Sequence, residues 1–218
     1  MILDCGISVN EVKKAIGYNV SKIKFALCTH IHNDHAAFVK KYLNMGIKVI
    51  MPRQVVEKHP GFVNAITATP MSKMHIDEYT IIPFDVPHDE GVECLAYIVE
   101  HSGFGKFLYM TDCMYCRYNL SKLKIRHVLC ECNYFQSNLY ENYEEYTRNR
   151  VLKTHMDVET CKSFLKVNKT DALKNVILCH LSADNSDSVE MKRQVREVVG
   201  ENVRVEIAKK GLVLNLNE

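Results

Sequence analysis

The stretch Thr29-His30-Ile31-His32-Asn33-Asp34-His35 holds three histidines and one aspartate within the six residues from His30 to His35. Packing in a protein core does not require so many polar groups in one place. Two divalent metal ions do, because neutral imidazole and carboxylate are preferred ligands of zinc and similar ions. A histidine-rich surface turn is the alternative interpretation. The spacing H-x-H-x-D-H between two apolar runs favours the metal site.

The runs on either side of this stretch predict a strand followed by a helix. Residues 24–28 are apolar after the first position and too short for a buried helix, so they are predicted to form a buried strand. His30 and His32, two residues apart in an extended segment, would then point to the same side. Residues 36–45 carry apolar side chains at helical spacing, and we expect Asp34 to cap the start of that helix.

Further candidate ligands come just after other short apolar runs. They are single histidines or aspartates at the ends of strand-like segments: Asp4, His88, Asp112 and His180. Such positions suit a metal site at one edge of a sheet, because the strands fix the ligands while the loops leave an opening. Any one of these residues alone is more readily a turn or cap residue. As an ordered set they indicate a metal centre.

With these motifs the chain resembles the metallo-β-lactamase superfamily, whose five motifs occur in order along nearly the whole sequence. The resemblance implies an α/β fold, a four-layer αββα sandwich, which we expect to be a single domain over residues 1–218. It also implies two metal ions with the following ligands: His30, His32 and His88 on one, Asp34, His35 and His180 on the other, and Asp112 bridging them. Asp4 would support the ligands through hydrogen bonds. Zinc suits this set, with manganese and iron as alternatives.

Within the superfamily, the segments around His88, Asp112 and His180 look most like the YycJ/WalJ-type exonuclease branch. The ribonuclease Z and cyclic-nucleotide phosphodiesterase branches are the next nearest. The resemblance therefore predicts a metal-dependent hydrolase, a phosphodiesterase or nuclease that cleaves DNA or RNA with metal-activated water. The alternatives are hydrolysis of a small phosphodiester such as a cyclic nucleotide, hydrolysis of a thioester, lactone or β-lactam, and a binding module without catalysis.

Three residues are candidates for proton transfer in such a reaction. Asp34 is suited to orient the attacking water or to accept its proton. His155 precedes a helical pattern over residues 157–167, and it resembles the histidine that nuclease-type branches place near the scissile phosphate. Glu131 resembles the acidic partner of that histidine in ribonuclease Z-like enzymes. The alternative interpretations are a turn residue for His155 and a solvated strand end for Glu131.

The second half of the chain repeats the strand–helix pattern of the first. Residues 176–179 are predicted to form a strand, residues 187–199 a helix, and residues 203–208 and 212–216 two further strands. Sheets with helices on their outer faces are what the resemblance implies.

Composition limits the other functions. The 218 residues are 47% hydrophobic and 25% charged, as in soluble globular proteins, and the apolar runs are strand-sized, so no membrane partner is expected. Nine cysteines without a signal-peptide pattern predict reduced thiols in a cytoplasmic protein. With a net charge of only +2, a nucleic acid or nucleotide substrate needs a local patch. Residues 134–153, rich in tyrosine and arginine, are the candidate, and a lid or a dimer surface is the alternative.

The start of the chain differs from the family pattern. Relatives usually carry a strand hairpin and a small-residue loop before the Leu-Asp-Cys-Gly segment, whereas this sequence begins Met1-Ile2-Leu3-Asp4. We therefore expect a fold that lacks the usual first N-terminal strands. An exposed sheet edge invites pairing with another chain, so a homodimer formed through that edge is a hypothesis.

Overall fold

The structure of the protein, a computed structural model, describes residues 1–216. The chain divides into two compact units. Unit 1 comprises Met1–Asp85 and Glu90–Ala96, and unit 2 comprises Val86–Asp89 and the residues from Tyr97 onward. Two β-sheets with flanking helices confirm the predicted α/β class. A single domain over residues 1–218 stays a prediction.

Unit 1 is built on a parallel sheet. Its elements are, in chain order, β1 (Ile2–Leu3), α1 (Val9–Ala15), β2 (Phe25–Leu27), α2 (Asn33–Ala36), α3 (Val39–Asn44), β3 (Lys48–Met51), α4 (Arg53–Val56), β4 (Ala65–Thr67), β5 (Met74–Ile76) and β6 (Tyr79–Asp85). Strands β1 to β4 are parallel neighbours in that order, while β5 and β6 form an antiparallel hairpin. The carboxyl ends of β1 and β2 therefore meet at one edge of the sheet, where Asp4 and the histidine-rich stretch begin.

The core of unit 1 explains why β2 carries apolar residues at every position. All three residues of β2 are buried, as expected for a parallel strand covered on both faces. Helix α3 packs Val39, Tyr42 and Leu43 into the hydrophobic cluster that contains Ala26 of β2. This packing holds the segment between β2 and α3, which carries the candidate ligands, against the sheet.

Unit 2 carries five of the seven strands of the second sheet. Its elements are, in chain order, β7 (Leu95–His101, whose first two residues belong to unit 1), β8 (Gly105–Met110), β9 (His127–Glu131), α5 (Gln136–Asn142), α6 (Glu145–Thr154), α7 (Val158–Asn168), β10 (Asn175–Cys179), α8 (Ser188–Val199) and β11 (Arg204–Ile207). The strand order is β11-β10-β9-β8-β7. Strands β7 and β8 are antiparallel, and β8, β9, β10 and β11 are parallel. The carboxyl ends of β8, β9 and β10 thus lie side by side.

The two long helices of unit 2 begin where the sequence predicts. Asp157 caps α7, its side chain accepting a hydrogen bond from the Thr160 N–H. Asp187 caps α8 in the same way, accepting from the Val189 and Glu190 N–H groups. A carboxylate at this position satisfies free backbone donors and complements the positive end of the helix dipole.

Three local predictions are wrong. Residues 36–45 contain the last residue of α2 and all of α3 rather than forming one helix. Asp34 does not cap a helix: it lies in the first turn of α2, and His32 occupies the cap position. Residues 212–216 form no strand. None of the nine cysteines, all of which lie within residues 1–216, forms a disulfide bond. No helix within the same residues is long and apolar enough to cross a lipid bilayer.

Candidate metal and catalytic site

The histidines of unit 1 lie close together after the end of β2. The ring centroid of His30 is 4.6 Å from that of His32 and 4.3 Å from that of His35. His30 and His35 are buried, His32 is half-buried, and Asp34 is exposed. Buried imidazoles at this density are the donor chemistry that a divalent metal requires.

Asp4 fixes the orientation of this cluster from behind. Its Oδ1 atom accepts a hydrogen bond from the Thr29 N–H at 2.7 Å, and its Oδ2 atom lies 2.6 Å from His35 Nδ1. A carboxylate can only accept here, so His35 Nδ1 carries the proton and Nε2 presents a lone pair. The Nε2 atom lies 3.3 Å from Asp34 Oδ2. Asp4 therefore makes the hydrogen bonds that are expected of a residue that orients metal ligands without binding the metal itself.

The segment that carries Asp4 also packs directly on the backbone of the histidine-rich stretch. Cys5 donates its N–H to the His35 carbonyl at 2.7 Å, and the Phe38 N–H donates to the Cys5 carbonyl at 2.9 Å. A Cβ atom added at Gly6 would lie 1.5 Å from the Asp34 carbonyl oxygen. Only glycine permits this approach. Gly6 was not among the residues predicted from the sequence, in which the Cys-Gly pair after Asp4 was the available signal.

In unit 2, four side chains converge at the shared edge of β8, β9 and β10. One donor atom from each lies within 4.8 Å of the others, in the group Asp112, Glu131, His155 and His180. His180 Nε2 is 3.2 Å from Asp112 Oδ1. Asp112 follows β8, Glu131 ends β9 and His180 follows β10, so parallel pairing brings the three together. His155 reaches the group from the end of α6.

Glu131 is the centre of this group and is completely buried. Its Oε1 atom lies 2.8 Å from His155 Nδ1 and 3.1 Å from His180 Nδ1. Its Oε2 atom accepts a hydrogen bond from the Cys113 N–H at 2.8 Å. A buried carboxylate is tolerated when donors surround it in this way. The interpretation of Glu131 as a solvated strand end is wrong.

Two further residues, which the sequence analysis did not single out, position the histidines of unit 2. Asn133 donates from Nδ2 to the His180 carbonyl at 2.5 Å. The Thr154 carbonyl, in the last turn of α6, accepts from His88 Nδ1 at 3.0 Å. That bond assigns the Nδ1 proton of His88 and leaves Nε2 as its lone-pair donor. Asn133 stands two residues after Glu131, but nothing in its spacing identifies a role.

Three of the candidate residues have left-handed backbone conformations. Asp4, Asp112 and His180 have φ angles of 59°, 50° and 55°. Such angles are uncommon outside glycine and cost on the order of 1 kcal/mol or more each. Each of the three comes at most two residues after a strand. The turn redirects the chain at the strand end, and the side chain is held where an extended continuation would not place it.

The structure thus distributes the predicted site residues between the two units. Unit 1 brings together Asp4, His30, His32, Asp34 and His35. Unit 2 brings together Asp112, Glu131, His155 and His180, with the His88 ring centroid 5.9 Å from that of His155. Imidazole and carboxylate donors in both groups fit a divalent ion such as zinc, manganese or iron. The assignment of individual ligands to two ions stays a prediction.

Comparison with known proteins agrees with the superfamily resemblance of the sequence. The family profile described as beta-lactamase superfamily domain matches residues 1–181. No curated protein matches the chain. A similar solved structure is the metallo-beta-lactamase fold protein YhfI from Bacillus subtilis, with a TM-score of 0.69, 18% identity, and coverage of 96% of this chain and 84% of that one.

Two further solved structures are similar. A diphosphatase from the PhnP family has a TM-score of 0.63 and 16% identity, covering 96% of this chain and 76% of that one. A possible metal-dependent hydrolase from Veillonella parvula has a TM-score of 0.61 and 11% identity, covering 94% and 78%. At these identities the likeness shows the fold.

Proposed function

Because this chain belongs to the beta-lactamase superfamily domain family, whose profile matches residues 1–181, we propose that it is a metal-dependent phosphodiesterase acting on nucleic acid. The family and its structural neighbours indicate a metal-dependent hydrolase. The phosphodiester substrate is the finer part of the proposal. It is supported by the sequence resemblance to nuclease branches and by the contacts of His155.

The observation that carries this proposal is the pair formed by Glu131 and His155. Cleavage of a phosphodiester releases an alkoxide oxygen, which needs a proton. With Nδ1 held 2.8 Å from the buried Glu131 carboxylate, the His155 ring is fixed in orientation. The Nε2 atom is then the proton donor to the leaving oxygen. Hydrolysis of a thioester gives this pair no comparable task, because the thiolate that it releases leaves without a proton.

We propose the metal ligands that the sequence resemblance implies. They are the residues of the last four of the five motifs, of which Asp4 is the first: His30, His32, Asp34, His35, His88, Asp112 and His180. Bound divalent ions, zinc foremost, would act as Lewis acids on the phosphate and lower the pKa of water towards 7. Asp34 is the exposed carboxylate of the set, so we assign it the orientation of the attacking water or the acceptance of its proton.

The similarity to a PhnP-family diphosphatase supports a second candidate function. In that case the substrate would be a small diphosphate or phosphodiester, including a cyclic nucleotide. The same residues would act in the same way, because the bond cleaved is again a phosphoryl–oxygen bond. Nucleic acid and small substrate are distinguished by assay.

The deciding experiment compares substrates with the purified, metal-loaded protein. End-labelled single- and double-stranded DNA and RNA are incubated beside bis(p-nitrophenyl) phosphate, a cyclic nucleotide and a nucleoside diphosphate, with Mn²⁺ or Zn²⁺. We expect cleavage of the oligonucleotides that is lost in Asp34→Ala. Cleavage of the small substrates alone would establish the second function. Hydrolysis of only a thioester or lactone would contradict both.

The His155→Ala variant tests the pair that carries the proposal. We expect its turnover of phosphodiesters to fall about 100-fold or more, the usual loss when a general acid is removed. Its metal content, measured by atomic spectroscopy, should equal that of the unaltered protein. Full activity of His155→Ala would remove the argument for phosphodiester cleavage.

A further inference from the structure

Helix α6 has one face packed and one face exposed. Val151 and Leu152 belong to a small hydrophobic cluster with Tyr134 and Leu139. Asn142, at the end of α5, donates to the Asp184 carbonyl at 2.9 Å and so fixes the neighbouring helix. The pair of helices is therefore a firm support within unit 2, and the outward face of α6 can present side chains in fixed positions.

The exposed face carries an aromatic residue followed by polar and basic residues. Its members recur at helical spacing, at positions i, i+3, i+4 and i+7, and we call them the α6 stripe: Tyr146, Asn149, Arg150 and Lys153. The Tyr146 side chain is 85% exposed. A tyrosine so exposed contributes little to packing, and its ring is available as a stacking surface.

The charge of this face has one sign. No acidic residue occurs from Tyr146 to Met156, whereas Glu144 and Glu145 stand at the start of the helix, where they complement its dipole. In the part of the chain that the structure describes, neither Arg150 nor Lys153 forms an ion pair. Both cations are therefore available to an anionic partner.

A second aromatic–cation pair lies between α5 and α6, on a face of α6 other than that of the stripe. The Arg148 guanidinium lies 4.5 Å from the ring centroid of Tyr140, which is itself 55% exposed. Aromatic rings alternating with cations are the pattern that holds single-stranded nucleic acid, because bases stack on rings and phosphates pair with cations. A rise of 1.5 Å per residue places Tyr146 about 10 Å from Lys153 along the axis, enough for more than one nucleotide.

The direction of the stripe connects it with the catalytic histidine. Lys153 lies in the last turn of α6, which ends at Thr154, and His155 follows as the cap residue. We propose that the α6 stripe binds single-stranded nucleic acid, with a base stacked on Tyr146 and phosphates on Arg150 and Lys153. This inference rests on the proposed function, for which it names the surface that binds the nucleic acid and single strands as the form that is bound.

Binding is tested without cleavage. The fluorescence anisotropy of labelled single-stranded 12-mers of DNA and RNA is measured with the full chain, in EDTA, between 50 and 200 mM salt. We expect Arg150→Ala/Lys153→Ala to weaken binding about tenfold and to reduce the salt slope by about 1.4, since each single-strand phosphate contact contributes about 0.7. The matched control is Lys209→Ala/Lys210→Ala, which removes two exposed cations elsewhere in unit 2 and should change affinity less than twofold.

Tyr146 is tested by a conservative pair of variants. Tyr146→Ala should weaken binding about fivefold or more, and Tyr146→Phe should bind as the unaltered protein does, because stacking needs the ring and not the hydroxyl. Thermal unfolding of every variant shows whether it is folded.

Several outcomes would overturn the proposal. These are the absence of binding by the unaltered protein, equal losses in the two double variants, and unchanged binding by Arg150→Ala/Lys153→Ala. Tighter binding of a double-stranded 12-mer would assign the stripe to duplexes and also contradict it. Because the assay needs no catalysis, its failure is distinct from a failure of the hydrolysis assay.

Discussion

The Oε1 atom of Glu131 lies 2.8 Å from Nδ1 of His155. The same oxygen lies 3.1 Å from Nδ1 of His180, whose Nε2 atom faces Asp112 at 3.2 Å. One buried carboxylate oxygen therefore orients two imidazoles, one proposed to bind metal and one proposed to donate a proton. Any change at Glu131 should affect both tasks at once.

Glu131→Gln and His155→Ala should therefore differ in metal affinity. Both are expected to lose about 100-fold or more in kcat/KM on a phosphodiester, and the double variant should be little worse than Glu131→Gln alone, because His155 and Glu131 act as a unit in proton transfer. Only Glu131→Gln should also weaken metal binding, since it alone disturbs His180. Chelator competition and steady-state kinetics measure the two effects. Additive losses would show that the residues act independently.

Asp4→Asn should weaken metal binding while the protein remains folded. An asparagine has one acceptor oxygen where Asp4 uses two, so either the hydrogen bond from the Thr29 N–H or the one at 2.6 Å from His35 Nδ1 would be replaced by two opposed donors, and the cluster would lose its orientation. Loss of such a supporting contact typically costs 10- to 100-fold in metal affinity.

The matched control is Asp77→Asn, because Asp77 is also an aspartate with a left-handed backbone, with φ of 50°, but it is exposed at the β5–β6 turn. It should leave metal affinity unchanged. Equal affinity for Asp4→Asn and Asp77→Asn in a zinc competition titration would contradict the supporting role of Asp4.

Gly6→Ala should be strongly destabilising. The added Cβ would lie 1.5 Å from the Asp34 carbonyl oxygen, and neither backbone can yield without moving the ligand-bearing stretch. We expect a loss of about 3 kcal/mol in the free energy of unfolding, at the upper end for overpacking, measured by urea denaturation. At Gly103, which also lacks a left-handed φ, the added Cβ meets only the His101 side chain at 3.1 Å, so Gly103→Ala is the control. Similar stability for both variants would refute the close-contact argument.

His127 should make stability depend on pH. The ring is buried between the Phe104 carbonyl, which accepts from Nε2 at 2.9 Å, and Asn175 Nδ2, which donates to Nδ1 at 2.8 Å. Burial lowers the pKa of the His127 imidazole. The hydrogen bond to the Phe104 carbonyl raises this pKa in part, and the charge of Arg126 lowers it. The unfolded chain, with an ordinary pKa near 6.5, then binds more protons, so unfolding becomes easier as pH falls below that value.

The measured quantity is the difference in urea midpoint between the unaltered protein and His127→Gln. Above about pH 6.5 the stabilising contribution of the neutral ring is complete, and it is lost as pH falls through the lower folded pKa. The urea midpoints of the two proteins should therefore differ at pH 7.5 and lie closer together at pH 5.5. A gap that stays constant, or widens, would show that His127 is not buried in its neutral form.

The order of the ligand-bearing motifs and the elements that carry them could be predicted from the sequence. Apolar runs of strand length identify β2, β8, β9 and β10, and the acidic residues Asp157 and Asp187 mark the starts of α7 and α8. These signals are local, because side-chain periodicity and helix capping act over a few residues. The break between α2 and α3 was not visible, since apolar spacing continues across it.

The sequence alone determined the donor set of the candidate metal site, because imidazole and carboxylate side chains recur there as an ordered set at the ends of strands, although any one of them alone is more readily a turn or cap residue. Only the tertiary structure decided which residues position those donors. Glu131 contacts His180, which is 49 positions away in the sequence. Gly6 contacts Asp34 because the two residues follow β1 and β2, which are neighbouring strands of a parallel sheet. Such pairs depend on strand order and register, which bring distant residues to one edge of a sheet and which no local pattern encodes.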